Sequence, residues 1–315
     1  MTALVTVAIP VRDGAATLPG VLSALAAQDP GAGVEVELLV CDSGSSDGSA
    51  ALAGAAGARV IEIPPASFGH GRTRNLLMAE ARGEHVALLT QDAEPASDGW
   101  LAALLRGFAL APDVALVYGP YRPRPAASPL VRAELTRWFA SLAPDGAPRI
   151  DRLSDEERAR PPAELFGRRT FFTDANACVS RAAWERVPFR EVAYAEDHAL
   201  ALDMLRAGHA KVYVPDAAVL HSHDYTASEY VRRCFDEWRA LHEVYGWREP
   251  ASPRALVRNL RGELGAARRE LGAGPATLAT VAARHGLRTA GALLGSRADR
   301  LPARARRALS LERRA

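Results

Sequence analysis

Apolar positions in the first half of the chain alternate between two periods. The run LVTVAIPV, Leu4–Val11, is continuous and β-branched, which suits a strand covered on both faces. A helical period follows at Leu18, Val21, Leu22 and Leu25. VEVELLVCDS predicts a second strand over Val34–Asp42, and SSDGSAALAGAAG a small-residue helix capped by its Ser and Asp. ARVIEI predicts a third strand, TRNLLMAEARG a helix closed by Gly83 at its C′ position, and EHVALLT a fourth strand. Strand and helix alternate with short links, the pattern of a parallel, doubly wound α/β sheet. DGWLAALLRGFALAP then reads as a helix and VALVYGPYRP as a strand.

The rhythm loosens between Arg124 and Thr170, which hold one helical stretch, LVRAELTRWFASL, and a charged, proline-bearing segment. A long irregular segment inside a compact domain is usually functional or mobile. ACVSRAAWERV restores strand and helix, AEDHALALDMLRAG is an amphipathic helix, and KVYVPDAAVLHSHD is a strand running into polar residues. After Tyr225 the chain reads as helix throughout.

Acids sit where the strands end. Asp42 closes the second strand. In ALLTQDAEP the fourth turns polar at Thr90-Gln91-Asp92-Ala93-Glu94, before Pro95 stops ladder pairing. Glu196-Asp197 opens a helix, and His221 and His223 follow a late strand. Ligands bind at the carboxyl edge of an open α/β sheet, so a parallel sheet gathers these groups on one side. Each group also has a plain structural use. A strand-tip aspartate caps the next helix, acids suit a helix N-terminus, and a histidine after a strand is often only a satisfied polar residue. Cleavage of a sugar nucleotide gives one reason for such a gathering. The departing diphosphate carries charge that a divalent cation neutralises. Oxygen ligands suit Mg²⁺ or Mn²⁺, and Mn²⁺ accepts imidazole as well. A separate carboxylate takes the acceptor's proton. Neighbours on a helix diverge by about 100°, so one of Glu196 and Asp197 is expected to face the site.

Composition adds bounds. At 315 residues and 48% hydrophobic content, the chain suits one large domain with an appendage. The net charge of +2 hides an asymmetry: residues 225–315 hold 18 Arg against 9 Asp and Glu, so the preceding part is acidic. The expected division is a catalytic unit over 1–225 and a basic helical extension over 226–315. Lys211 is the lone lysine among 39 Lys and Arg, a bias that reads as a GC-rich bacterial genome. Cys41, Cys178 and Cys234 are odd in number and lack metal-ligand spacing, which argues for a reducing compartment without disulfides. The N-terminus runs straight into a strand, with no signal peptide expected, and no apolar run reaches the roughly 18 residues of a membrane span. A cytoplasmic location is expected. No nucleic-acid partner is expected. A dinucleotide-binding dehydrogenase is disfavoured because no G-x-G-x-x-G follows the first strand. Past Tyr225, Arg254, Arg258, Arg261, Arg268 and Arg269 recur near one helix face, opposite Leu256, Leu260, Leu264 and Leu271. The simplest use is a stripe packed on the catalytic unit with solvated arginines outside; the alternative is peripheral contact with an anionic membrane surface.

Four segments, in order from Val5 to Asp224, resemble family 2 glycosyltransferases of the GT-A fold. VTVAIPVRDGAATLPGVLSAL resembles the family's opening strand and helix, and LLVCDSGSSDGS its nucleotide-binding turn. GRTRNLLMAEARGEHVALLTQDAEP resembles the block leading into the DxD motif. YAEDHALALDMLRAGHAKVYVPDAAVLHSHDYT resembles the "ED" helix and the histidine beyond it. The combination is similar to the bacterial rhamnosyltransferase branch. There are departures: Thr90 stands at the first Asp of DxD, and Ser43 at the second Asp of the turn.

The resemblance implies an inverting, metal-dependent enzyme of cell-surface polysaccharide biosynthesis. Its donor would be a nucleoside diphosphate sugar, with dTDP-L-rhamnose suggested, and its acceptor a cell-surface glycan or lipid-linked sugar. It implies Asp197 as catalytic base with Glu196 as rival. Asp92 and His223 become metal ligands, for Mg²⁺ or Mn²⁺. Pro10, Val11, Arg12, Asp42, Arg74, Gln91 and Asp92 become nucleotide-sugar contacts, with Glu94 a water-mediated helper. His70, Asn176 and His221 are expected on the sugar or acceptor side, and Trp138 is either core or a surface for stacking a sugar. The missing first Asp of DxD keeps one alternative open, a catalytically degenerate nucleotide-sugar-binding scaffold; the retained Glu196-Asp197 pair speaks for an enzyme.

Overall fold

A computed structural model describes residues 3–312; Met1, Thr2 and the last three residues of the basic extension lie outside the described residues. Eleven strands run β1 Ala3–Val11, β2 Val34–Asp42, β3 Arg59–Glu62, β4 His85–Leu89, β5 Glu94–Pro95, β6 Val114–Tyr118, β7 Tyr121–Arg122, β8 Arg149–Asp151, β9 Asn176–Ser180, β10 Ala210–Tyr213 and β11 Val219–Leu220. The helices are α1 Leu18–Ala26, α2 Ser49–Ala55, α3 His70–Glu80, α4 Trp100–Phe108, α5 Pro129–Ala140, α6 Asp155–Arg158, α7 Pro162–Leu165, α8 Arg181–Trp184, α9 Glu196–Arg206, α10 Ala227–Tyr245, α11 Pro253–Leu271, α12 Pro275–Gly295 and α13 Ala303–Leu309.

Eight strands form the main sheet in the order β3-β2-β1-β4-β9-β6-β10-β8. The expected parallel pairs are present: β1 with β2 and β4, β2 with β3, and β6 with β10. The sheet is not wholly parallel, however. β9 inserts antiparallel between β4 and β6, and β8, from the irregular segment, pairs antiparallel with β10. The reversal of β9 matters for the site. A strand running backwards begins at the edge where its parallel neighbours end, so the residues just before Asn176 are delivered to the carboxyl edge. The register bears this out, with Asn176 opposite Leu89, the last residue of β4.

Layers of apolar side chains cover both faces of the sheet. One contains Val7, Ile9, Leu18, Leu89 and Trp100, and the other Leu39, Leu88, Leu116, Phe172 and Leu200. All three cysteines are buried and free. Lys211 is fully buried on β10, 2.8 Å from Asp151, and burial lowers its ammonium to about 8 against the pull of that carboxylate. The pair ties the edge strand β8 to the sheet.

Local details correct several expectations. Gly83 is not a helix C′ residue: α3 stops at Glu80 with Ala81 extended. The N–H of Gly83 donates to Thr6 Oγ1 at 3.0 Å, and a Cβ there would lie 2.5 Å from the Thr6 nitrogen, so glycine is needed for close approach to β1. The cap of α2 is Gly48, with φ 90°, while Asp47 accepts from the N–H of Ser49 and of Ala15. VALVYGPYRP forms two strands, because Gly119-Pro120 interrupts the ladder and sends Tyr121–Arg122 into a second, three-stranded sheet, β5-β11-β7.

The C-terminal helices begin at Thr226, whose side chain and that of Glu229 form a capping box on α10. α10 packs tightly on α12. A Cβ at Gly291 would lie 2.6 Å from the Val231 carbonyl oxygen, and one at Gly295 2.3 Å from that of Phe235, so small residues let the two backbones approach. On α11, Leu256, Leu260, Leu264 and Leu271 are half-buried while Arg254, Arg258, Arg261, Arg268 and Arg269 are exposed. Among the described residues no helix is long and apolar enough to cross a membrane.

Candidate active site

A cavity of about 420 Å³ opens at the carboxyl edge of the main sheet. Its floor is the tip of β1, where Pro10, Val11 and Arg12 line it as expected. Gln91, just past β4, locks onto that tip. Its side chain accepts from the Arg12 N–H at 2.8 Å and donates to the Arg12 carbonyl at 3.1 Å. Thr90 also faces the cavity, and its Oγ1 is buried without a hydrogen-bond partner among the described residues. A hydroxyl left so is one that a ligand can satisfy.

The small sheet builds one end of the cavity. β11 pairs antiparallel with β5, Val219 opposite Pro95 and Leu220 opposite Glu94. Continuing that register beyond the strands sets Asp92 opposite Ser222, between His221 and His223. The side chains agree: His221 Nδ1 lies 3.6 Å from Asp92 Oδ1, and His223 Nε2 3.3 Å from Asp92 Oδ2. One ligand atom from each of the three lies within 4.8 Å of the others. Burial holds His221 below the usual imidazole range, against the opposing pull of Asp92. A neutral imidazole keeps the lone pair that metal ligation needs. One carboxylate oxygen and two imidazole nitrogens fit a divalent cation, and the nitrogen share favours Mn²⁺ over Mg²⁺.

The opposite end is built from α9 and the chain entering β9. Ala195 takes the left-handed conformation, φ 60° and ψ 38°, which is uncommon outside glycine. α9 starts from this turn. Both Glu196 and Asp197 line the cavity, so the expectation that one would turn away is corrected. The helical divergence of side chains does not separate them because they sit in the first turn, with the cavity wrapped around it. Asp174 completes a set of three carboxylates. It ion-pairs with Arg74, whose Nε is 2.9 Å from Asp174 Oδ2 and whose other nitrogens donate to the Leu89 and Asp174 carbonyls. Burial and the neighbouring Asp174 push Asp197 up to about 8, against a backbone hydrogen bond from His198. Burial, Asp174 and Asp197 raise Glu196 well above the carboxylate range. Residues whose titration is shifted by burial and a charged neighbour, inside a cleft, are candidates for chemistry.

Other sequence candidates land elsewhere or in altered roles. Asn176 is fully buried outside the cavity. Its side-chain Oδ1 accepts from Trp100 Nε1 at 2.8 Å, and its Nδ2 donates to the Pro120 and Ala217 carbonyls. That makes it a structural link between the two sheets, not a sugar contact, because its hydrogen-bonding groups are already engaged. Asp42 is buried and does not line the cavity; its carboxylate accepts from the N–H groups of Gly44 and Ser45, shaping the turn, while Ser43 faces inward. Glu94 is drawn off toward Arg124, 3.6 Å away, and lies outside the cavity lining. Arg74 lines the cavity, but its guanidinium is taken up by Asp174. His70 lines it too, 3.7 Å from Glu196 and 3.6 Å from Glu312. Leu311 and Glu312 reach the rim, held by their N–H groups donating to buried Asp236. Asp174, Tyr121, Tyr225 and Arg233 were not singled out by sequence. Only Asp174 carried a signal, an acid two residues ahead of a strand, in FTDANACVS.

An open, mostly parallel α/β sheet with its cavity at the carboxyl edge and an antiparallel strand inserted within it is the arrangement of GT-A glycosyltransferases. The chain belongs to glycosyl transferase family 2, whose profile matches residues 6–186. It is 31% identical over 241 residues to the O-antigen chain rhamnosyltransferase RfbN of Salmonella typhimurium, covering 74% of this chain and 70% of that protein. It is also 31% identical over 203 residues to the O-antigen chain rhamnosyltransferase WbaN of Salmonella anatum, covering 64% and 61%. Among solved structures, the mannosyltransferase PcManGT from Pyrobaculum calidifontis, in complex with GDP-Man and Mn²⁺, superposes with a TM-score of 0.61 at 20% identity, over 94% of this chain and 86% of that one. Glucosyl-3-phosphoglycerate synthase from Mycobacterium tuberculosis, in complex with Mn²⁺, UDP and glucosyl-3-phosphoglycerate, gives a TM-score of 0.52 at 20% identity over 78% of this chain and 81% of that one. At that identity the likeness speaks for the fold.

Proposed function

We propose that this family 2 glycosyltransferase moves L-rhamnose from dTDP-L-rhamnose to a hydroxyl of a cell-surface glycan or lipid-linked acceptor, with inversion at the anomeric carbon. One observation carries the reading: a single cavity with Asp92, His221 and His223 at one end and Glu196 and Asp197 at the other. The rhamnosyltransferase names of both relatives support the choice of sugar.

Asp92, His223 and His221 would hold the divalent cation, which supplies Lewis-acid neutralisation of charge on the leaving diphosphate. The chain's own residues do the rest. Pro10, Val11 and Arg12 receive the nucleotide, and Gln91 holds that strand tip in place. Thr90 offers its unpaired hydroxyl where the family carries an aspartate. Asp197 is the base, its carboxylate held by a hydrogen bond from the His198 N–H at 2.7 Å that favours the ionised form. Asp197 takes the acceptor's hydroxyl proton, and the acceptor oxygen bonds to the anomeric carbon. The bond from that carbon to the diphosphate oxygen breaks, and the nucleoside diphosphate departs with the electron pair. One displacement with one base inverts configuration. We read the chain as a catalytic unit over 1–225 and a basic helical extension over 226–315, working at the cytoplasmic face of the membrane that carries the acceptor.

The test is to incubate the protein with a panel of nucleotide sugars and Mn²⁺ and to measure free nucleoside diphosphate. Release is expected to be fastest with dTDP-L-rhamnose. Binding of nucleotide sugars without release from any of them would favour the scaffold reading instead, which the two acids facing the cavity argue against.

A further inference from the structure

Beside the donor cavity lies a larger one, about 880 Å³, within the range of roughly 300–1,000 Å³ that small-molecule sites occupy. The two share Tyr121, His221, His223, Tyr225 and Arg233, so the larger space opens onto the region between the metal-ligand group and the acids. One wall is Trp138 on α5 with Phe171 beneath it, rings 5.1 Å apart and edge to face. The other wall comes from α10 and α12, where Arg284 stacks 4.2 Å over Tyr230 and pairs with Glu134 across the cavity mouth. This second wall lies past residue 186, where the family match ends.

Trp138 is 38% exposed, with its ring edge to face against Phe171. A large aromatic left open on a cavity wall, among arginine and carboxylate side chains, is a surface for a ligand that is apolar on one face and hydroxylated at its edge. Pyranose rings have that character: their C–H face packs on a π surface, and their hydroxyls take hydrogen bonds from charged neighbours. We infer that this cavity is the acceptor site, that it takes a saccharide stacked on Trp138, and that the C-terminal helices select the acceptor. The inference rests on the glycosyl-transfer reading for the chemistry that follows binding. The saccharide's reacting hydroxyl reaches Asp197 through the opening beside Tyr121, gives up its proton there and forms the new glycosidic bond.

Binding is tested apart from turnover. Saturation-transfer NMR is recorded on the full chain with thymidine diphosphate and Mn²⁺ present, using methyl α-D-mannopyranoside, methyl α-D-galactopyranoside and methyl α-L-rhamnopyranoside as probes. At least one glycoside is expected to receive saturation. Trp138→Ala is expected to weaken that contact about tenfold, the worth of one good aromatic contact, and Trp138→Phe to restore most of it. Thymidine diphosphate binding, followed by calorimetry, is expected to stay at wild-type strength in both variants, which also reports that they fold. No saturation of any probe by the wild-type protein, or saturation equal in Trp138→Ala, overturns the inference. Saccharide contact that depends on Trp138, in a protein that releases no diphosphate from any donor, would leave this site standing and overturn the transfer reading.

Discussion

The two ends of the donor cavity hold similar side chains in different surroundings. At one end Asp92 keeps 22% of its side chain exposed and faces two imidazoles. At the other, Glu196 and Asp197 lie against Asp174, and the Arg74 guanidinium that acts on them is already paired with it. The first arrangement leaves a carboxylate beside two imidazole nitrogens, a place for a cation. The second holds protons on carboxyl groups that would lose them in water, a place for acid–base work. Environment, not residue type, divides the labour.

The largest expected effect breaks the first end. Asp92→Ala should abolish transfer with the fold intact, since this half-buried residue contributes little to the core; turnover at the wild-type rate with saturating Mn²⁺ would remove Asp92 from the site. Next comes the base. Asp197→Asn should lower transfer by roughly 10²–10⁴-fold, the usual worth of general-base catalysis, with donor affinity nearly unchanged. If Glu196→Gln shows the larger loss, the two acids exchange roles.

Asp174 sharpens the contrast from behind. Asp174→Asn leaves the buried Arg74 guanidinium unpaired, and breaking such a pair typically costs about 3–5 kcal/mol, readable from denaturant unfolding. A similar midpoint in the variant would mean that the ion pair matters little. pH probes the same end. Asp197 ionises near 8 in the fold, against 3.8 ordinarily. The folded state therefore holds protons that the unfolded chain has lost, and stability from this group falls as pH rises between those values. The rate moves the other way, increasing with pH as the base ionises. Asp197→Asn should flatten the stability slope, and a slope that does not respond to that change would contradict the assignment. The smallest effect concerns the basic helices. Flotation with anionic liposomes should show association at low salt and its loss near 0.5 M, where the Debye length is about 4 Å. Binding that survives high salt would point to apolar insertion rather than charge.

Much of this was legible because it is local. The strand and helix periods around Leu4–Val11, Leu18–Leu25 and Val34–Asp42 arise from burial of one or two faces, and they survive any arrangement of the whole. The acids at strand tips and helix starts were visible for the same reason, and so were Pro10, Val11, Arg12, Gln91, Asp92, His223 and Asp197 as lining of one cavity. Asn176 misled because a hydrogen-bonding residue beside a site looks the same in sequence whether it faces ligand or backbone. Asn176 became a bolt between two sheets through Trp100, Pro120 and Ala217, partners that lie 41 to 76 residues away.

By itself, then, the sequence determined the α/β alternation, the edge on which chemistry gathers and the basic character of the last ninety or so residues, since each follows from period, turn chemistry or charge within a short window. Tertiary structure alone decided which acids became neutral. It reversed β9 and so carried Asp174 to the carboxyl edge, beside Asp197 and Glu196. It set His221 and His223 around Asp92 through a two-residue strand pairing. It also closed the aromatic wall of the larger cavity with helices that begin after Thr226. Long-range pairing and desolvation set these outcomes, and neither is written in the spacing of neighbouring residues.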